Sequence, residues 1–241
     1  MDTRELTWSR FTGLQTSLLA RGTTMQNTTH AVMAQRTEPK DSADNFPTQP
    51  WATRALIEHV LEDRPSLKRK TCLEPACGSG YMANVLTEYF GSVDSSDAHF
   101  YGYGEVRDFL SYPFPSQSFD WVITNPPFRH GEEFVLRALD IARDGVAIFA
   151  RSVFIESIGR YRKIFKHTPP SKFAQFTERV PLVKGRVDPK ASTATSYAWF
   201  IWEKAAGGGY PRVIWIPPCR RKLERKGDYD GVPSPPLLQV S

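Results

Sequence analysis

The sequence predicts an open, mainly parallel α/β sheet, and three observations carry that prediction. Strand-like and helix-like segments alternate along most of the chain. A short strand over residues 71–74 runs into the glycine turn Pro75-Ala76-Cys77-Gly78-Ser79-Gly80 and then a helical stretch. A second apolar run, Phe119-Asp120-Trp121-Val122-Ile123-Thr124, stops at Asn125-Pro126-Pro127-Phe128. Neither proline can donate a ladder hydrogen bond, so that strand must end there. Ligands of such sheets bind beyond the carboxyl ends of the strands, so these two strand ends are the places to look for chemistry.

At 241 residues the chain has room for one domain with a sizeable core plus tails. The formal charge of +5 favours an anionic partner without requiring one. Cys72, Cys77 and Cys219 are odd in number and form no CxxC pair. That argues against a disulfide scaffold or a zinc site, so no metal is expected, and reduced thiols in a cytoplasmic setting are. No apolar run is long enough to span a bilayer, and the N-terminus has no continuous apolar stretch of the signal-peptide kind.

Residues 1–45 are polar, rich in Thr, Ser and Gln, and lack a sustained period, which predicts a disordered leader. Met33 lies within it, and everything discussed below follows that residue. Order is expected to begin at Phe46-Pro47-Thr48, with Thr48 capping a helix that runs to about Leu61 and carries Pro50 in its first turn. Trp51, Ala55, Leu56, Ile57 and Val60 form its apolar stripe. After the glycine turn and its helix, residues 91–97 read as a second strand. Asp97 stands roughly 20 residues past the start of the turn, where nucleotide-binding sheets place a ribose-binding acid. Asp94 is the competing candidate, and a plain loop carboxylate is the simpler reading of either.

Asp108-Phe109-Leu110 follows a glycine-rich stretch; Asp108 suits either an adenine amino group or the capping of a helix. Residues 132–143 form an amphipathic helix, and residues 146–150 the next strand. Residues 157–166 read as a helix with Ile158, Tyr161 and Phe165 inward and Arg160, Arg162, Lys163 and Lys166 outward. Strands follow at 173–180, 197–202 and 212–216, and the basic, then Pro-rich stretch 219–241 is expected to be a flexible tail. The body is therefore placed at 46–218.

The tetrapeptide Asn125-Pro126-Pro127-Phe128 suits gripping an exocyclic amino group beside a flat aromatic wall, although Asn-Pro is also a common turn starter. Phe46-Pro47-Thr48, Glu74-Pro75-Ala76-Cys77-Gly78-Ser79-Gly80-Tyr81, Asp97, Asp108-Phe109-Leu110 and Asn125-Pro126-Pro127-Phe128 occur in one order. That order resembles the class I S-adenosylmethionine-dependent methyltransferases of the adenine-N6 group, most like the small phage and prophage DNA enzymes. The resemblance spans residues 46–216. It implies a Rossmann-like, seven-stranded sheet in the order 3-2-1-4-5-7-6, with strand 7 antiparallel and helices on both faces. It also implies S-adenosyl-L-methionine as cofactor. Pro47 and Thr48 would then meet its methionine end, Glu74, Cys77, Gly78 and Gly80 form its turn, Asp97 hold the ribose, and Asp108 with Phe109 the adenine. Asn125, Pro126, Pro127 and Phe128 would handle the target. The chain departs from the larger members in having room only for short insertions where they carry a target-recognition region.

Double-stranded DNA is the partner the resemblance favours, with the protein a monomer or weak dimer. RNA adenine shares the same local chemistry, and protein glutamine is a third substrate class handled by the same grip. The segment 151–190 carries Arg160, Arg162, Lys163, Lys166, Lys184 and Arg186, a surplus suited to phosphates, though a solvated face is the commoner meaning of such a run. A non-catalytic nucleic-acid-binding module is the reading from a different class, and the intact Gly78, Gly80 and Asn125 argue against it.

Overall fold

The computed structural model describes residues 44–61, 64–207 and 209–230. The expected leader therefore lies outside the described residues, apart from Asp44 and Asn45, as do the last eleven residues of the expected tail.

Eight strands form one sheet in the order β3-β2-β1-β4-β5-β7-β6-β8. They are β1 (Thr71–Glu74), β2 (Ser92–Asp97), β3 (Glu105–Val106), β4 (Phe119–Thr124), β5 (Ala142–Arg151), β6 (Lys172–Phe176), β7 (Tyr197–Glu203) and β8 (Arg212–Ile216). Only β7 runs antiparallel to its neighbours, β5 and β6. This is the expected order with one strand added, since β8 pairs parallel to the outer side of β6.

The helices are α1 (Pro50–His59), α2 (Arg64–Leu67), α3 (Tyr81–Thr87), α4 (Gly131–Ile141), α5 (Ile158–Arg160) and α6 (Arg220–Leu223). The period of two in the central strands divides the core between two faces. Ile123, Ala147, Phe149 and Trp199 pack with Trp51 and Leu56 of α1 and Leu86 of α3. Val122, Val146, Ile148 and Phe200 pack on the other face with Phe134, Val135 and Ile141 of α4. The stripe expected for α1 is buried in full. Its start differs, because Gln49 rather than Thr48 precedes the helix, and Gln49 donates instead to the Pro181 carbonyl at 3.0 Å.

Two further expectations give way. Ile158 and Tyr161 are 73% and 56% exposed, whereas Ile164 is fully buried. The short α5 passes into a π turn over Tyr161–Phe165, closed by Lys166 N–H donating to the Tyr161 carbonyl at 2.8 Å. That wider turn rotates Ile164 inward where a regular α-helix would have placed Ile158 and Tyr161. The tail is also docked over its first part. Asp228 and the Leu223 carbonyl each accept from Arg54 of α1 at 2.8 Å, and the Arg54 and Asp228 side chains are only 3% and 6% exposed.

Candidate active site

Because β1, β2, β4 and β5 are parallel, their carboxyl ends open on one edge of the sheet. Glu74 ends β1, Asp97 ends β2, Thr124 ends β4, and β5 runs on to Arg151, three residues past Ile148, the partner of Thr124.

The glycine turn sits between β1 and α3. Gly78 and Gly80 both take left-handed backbone conformations, at φ +50° and +85°, which glycine adopts without a Cβ penalty. Among the described residues, a Cβ on Gly78 would meet only the side chain of Asn45 within 4 Å, whereas one on Gly80 would strike the Tyr103 ring at 2.4 Å. Asp97 is fastened to this turn: Gly78 N–H donates to Oδ2 at 3.0 Å and His99 N–H to Oδ1 at 3.1 Å. Its burial raises its carboxyl above the usual range. Asp94 instead pairs with Arg107, away from the turn.

Glu74 is 1% exposed, and its carboxylate faces the Thr124 hydroxyl and the Ala76 backbone N–H. Burial pushes its carboxyl up to about 8, with Asp97 adding repulsion. The Thr48 hydroxyl is buried as well and has no partner among the described residues. A buried, unsatisfied polar group costs roughly 1–3 kcal/mol.

Asn125 shows the same pattern in a sharper form. Its Nδ2 donates to the Phe46 carbonyl at 2.9 Å, and its Oδ1 is buried without a partner among the described residues. The assignment of the two amide atoms is forced, because a carbonyl can only accept. The amide is thus held with its oxygen free for a donor. Pro126 is buried behind it. Phe128, half-buried, carries the Phe46 ring at 5.4 Å and 30° and the Arg151 guanidinium 4.5 Å from its centroid. Asp44 Oδ2 accepts the Phe128 N–H at 2.7 Å.

The edge therefore gathers Thr48, Glu74, Gly78, Asp97, Asn125 and Phe128. Pro47 adjoins the Phe46 carbonyl, and Cys77 is 6% exposed inside the turn. Asp108 and Phe109 fit the ligand role less well. Asp108 caps its own turn, accepting from Leu110 N–H at 3.1 Å and Ser111 Oγ at 2.9 Å. Phe109 is 1% exposed and packed against Phe134 at 4.8 Å, so it offers a ligand almost no surface.

The basic residues divide as well. Arg160 donates to the Phe154 carbonyl at 2.6 Å and lies over the Phe154 ring, and Lys163 pairs with Glu132, so both brace the loop after β5. Arg162 and Lys166 are exposed. Lys184 and Arg186 flank Gly185, whose N–H donates to the Asn45 carbonyl at 2.8 Å, which brings them to the site edge. Sequence reasoning missed Asp44, Asn45 and Arg151 as parts of this site. The only signal was their proximity to Phe46 and to the end of a strand. Among the described residues, no group of three His, Cys, Asp or Glu could hold a metal ion, and no helix is long and apolar enough to cross a membrane.

No family model and no curated protein matches the chain. Solved structures do. The type I restriction-modification system methyltransferase subunit from Streptococcus thermophilus superposes with a TM-score of 0.52 at 12% identity, over 80% of this chain and 51% of that one. A protein described as a modification subunit of a type I restriction enzyme from Vibrio vulnificus gives 0.51 at 14% identity, over 77% and 51%. The chain thus spans about half the length of these two subunits. A protein described as an RNA methyltransferase from Pyrococcus horikoshii gives 0.49 at 14% identity, over 70% and 91%. At such identities the likeness concerns the fold. With its strand order and single antiparallel strand, the chain has the Rossmann-like fold of the class I methyltransferases.

Proposed function

We propose that the protein transfers a methyl group from S-adenosylmethionine to the N6 amino group of adenine in double-stranded DNA. The observation that carries this reading is Asn125, an amide pinned through Nδ2 with its buried oxygen left unpartnered beside the glycine turn. The cofactor would be held by Pro47, Thr48, Glu74, Cys77, Gly78, Gly80 and Asp97. The buried Glu74 and Thr48 oxygens and the Asp97 carboxylate suit its ammonium, hydroxyl and sulfonium groups. When bound, it supplies a methyl group already activated on sulfonium.

The chain's own residues then have a limited task. An aromatic amino nitrogen is a poor nucleophile because its lone pair is delocalised into the ring. Asn125 Oδ1 and the Pro126 carbonyl would accept its two hydrogens, favouring a pyramidal nitrogen and stabilising the positive charge that develops there. Phe128 offers the ring against which an extruded base stacks, and buried walls keep water from the transfer. No strong general base is required.

The DNA assignment rests on the sequence resemblance and on exposed cations, Arg162 and Lys166 in the loop after β5 and Lys184 and Arg186 beside Asn45, which suit phosphates, although Arg186 also pairs with Asp188 at 3.2 Å. Two solved structures with this fold are methyltransferase or modification subunits of restriction systems, which is in keeping with the assignment. Duplex DNA, matched RNA and unfolded protein should each be offered with methyl-labelled cofactor, followed by digestion and chromatography. Label in N6-methyladenine from DNA is expected. Label in RNA alone would transfer the mechanism to the other nucleic acid, and label only in protein glutamine would overturn the substrate and the role of the basic surface.

A further inference from the structure

We propose that Asp44 is a positioning residue that latches the target-gripping tetrapeptide, so that the segment before α1 couples the cofactor turn to the amino-group site. The inference rests on the reading under Proposed function. Asp44 Oδ2 accepts the Phe128 N–H at 2.7 Å, and two residues on the Phe46 carbonyl accepts Asn125 Nδ2 at 2.9 Å. Both ends of the tetrapeptide are thus tied to one short stretch. Asn45, between them, accepts Gly185 N–H through its carbonyl at 2.8 Å and lies with Oδ1 3.1 Å from where a Cβ on Gly78 would stand. Three consecutive residues therefore touch the grip, the glycine turn and the basic loop around Gly185.

The chemistry explains the carboxylate. Pro126 and Pro127 have no N–H, so the tetrapeptide cannot be fastened by ladder bonds to β5 beyond Thr124. The Phe128 N–H is the first backbone donor past the prolines, and a carboxylate is a stronger acceptor for it than a neutral oxygen. A ligand at Gly78 and Thr48 that steadies residues 44–48 would therefore steady the Asn125 oxygen too. By linkage, the target base would tighten cofactor binding by the same factor.

The full chain should be compared with Asp44→Ala and Asp44→Asn by hydrogen exchange, calorimetry and methyl transfer. Asp44→Ala is expected to speed amide exchange at Asn125 and at Phe128 to His130 by about tenfold, on the scale of one lost charged hydrogen bond. It should lower kcat by a similar factor, leave cofactor affinity without DNA within about twofold, and abolish the mutual tightening of cofactor and DNA. Asp44→Asn keeps an oxygen acceptor and should recover most of each effect. Unchanged exchange and kcat in Asp44→Ala would overturn the latch, as would equal loss of melting temperature in both variants, which would reduce Asp44 to general packing. Should the wild-type protein methylate no adenine substrate, the reaction reading fails, and the exchange comparison still decides the latch.

Discussion

Asn125 commits one half of its amide to the Phe46 carbonyl and leaves the other half unpartnered in a buried setting. Replacing it with Ala should keep calorimetric binding of S-adenosylmethionine while reducing methyl transfer on the order of 10²–10³-fold, the scale for losing one preorganised polar group. Near-normal turnover would mean the active site lies elsewhere. Gly78→Val should do the reverse of Asn125→Ala. The residue sits at φ +50°, which a β-branched side chain rarely adopts, and a Cβ there would crowd Asn45. Cofactor binding should be largely lost in a protein that still folds. Glu74 gives a pH signature. With its carboxyl pushed up to about 8 by burial, the folded state holds a proton that the unfolded chain has already released in the ordinary carboxylate range. The folded state then binds more protons, so stability falls as pH rises through that window and levels off above about 8. Melting of the ligand-free protein from about pH 5 to 8 should show this slope, and Glu74→Gln should flatten it.

At the scale of elements, the loop after β5 shows how a charge run divides between structure and surface. Arg160 is tied to the Phe154 carbonyl and Lys163, itself exposed, pairs with Glu132, while Arg162 and Lys166 are exposed as well. Substituting Arg162, Lys166 and Arg186 with Ala should weaken nucleic-acid binding and lower the slope of its salt dependence by about one per lost phosphate contact. Cofactor affinity should not change, and an unaltered slope would remove this face from the nucleic-acid surface. The π turn explains why the sequence misplaces the inward side of this segment. A helical wheel assumes 3.6 residues per turn, and the inserted residue turns Ile164 inward and Tyr161 outward.

At the scale of the whole molecule, residues just past 218 are tied to the first helix. Arg54, buried in α1, is held by Glu88 of the turn after α3 and by Asp228 beyond α6, at 2.7 and 2.8 Å. Burial works against its charge, but the two carboxylates outweigh that and raise its pKa further. Removing one partner of such a buried pair typically costs about 3–5 kcal/mol, so a chain ending at residue 218 should melt well below the full chain. At the other end, a chain beginning at Met33 should melt at nearly the full-length temperature. One beginning at Phe46 should fold but turn over slowly, because it lacks Asp44 and Asn45.

The sequence by itself determined the alternation of strands and helices, the two strand ends proposed to carry the chemistry, and Glu74, Gly78, Asp97 and Asn125 as the residues to examine. All of that is local: glycine and proline act on their own backbone, and apolar periodicity is read within one element. Tertiary structure decided the rest. Asp44 meets Phe128 across 84 residues and Arg54 meets Asp228 across 174, distances over which no periodicity carries. Arg151 reaches Phe128 only because β5 outruns the proline-ended β4, a consequence of pairing register. Whether Asp108 turns to a ligand or to its own loop was open in the sequence, since a free carboxylate serves both. The fold brings Leu110 N–H and Ser111 Oγ within hydrogen-bond reach of that carboxylate.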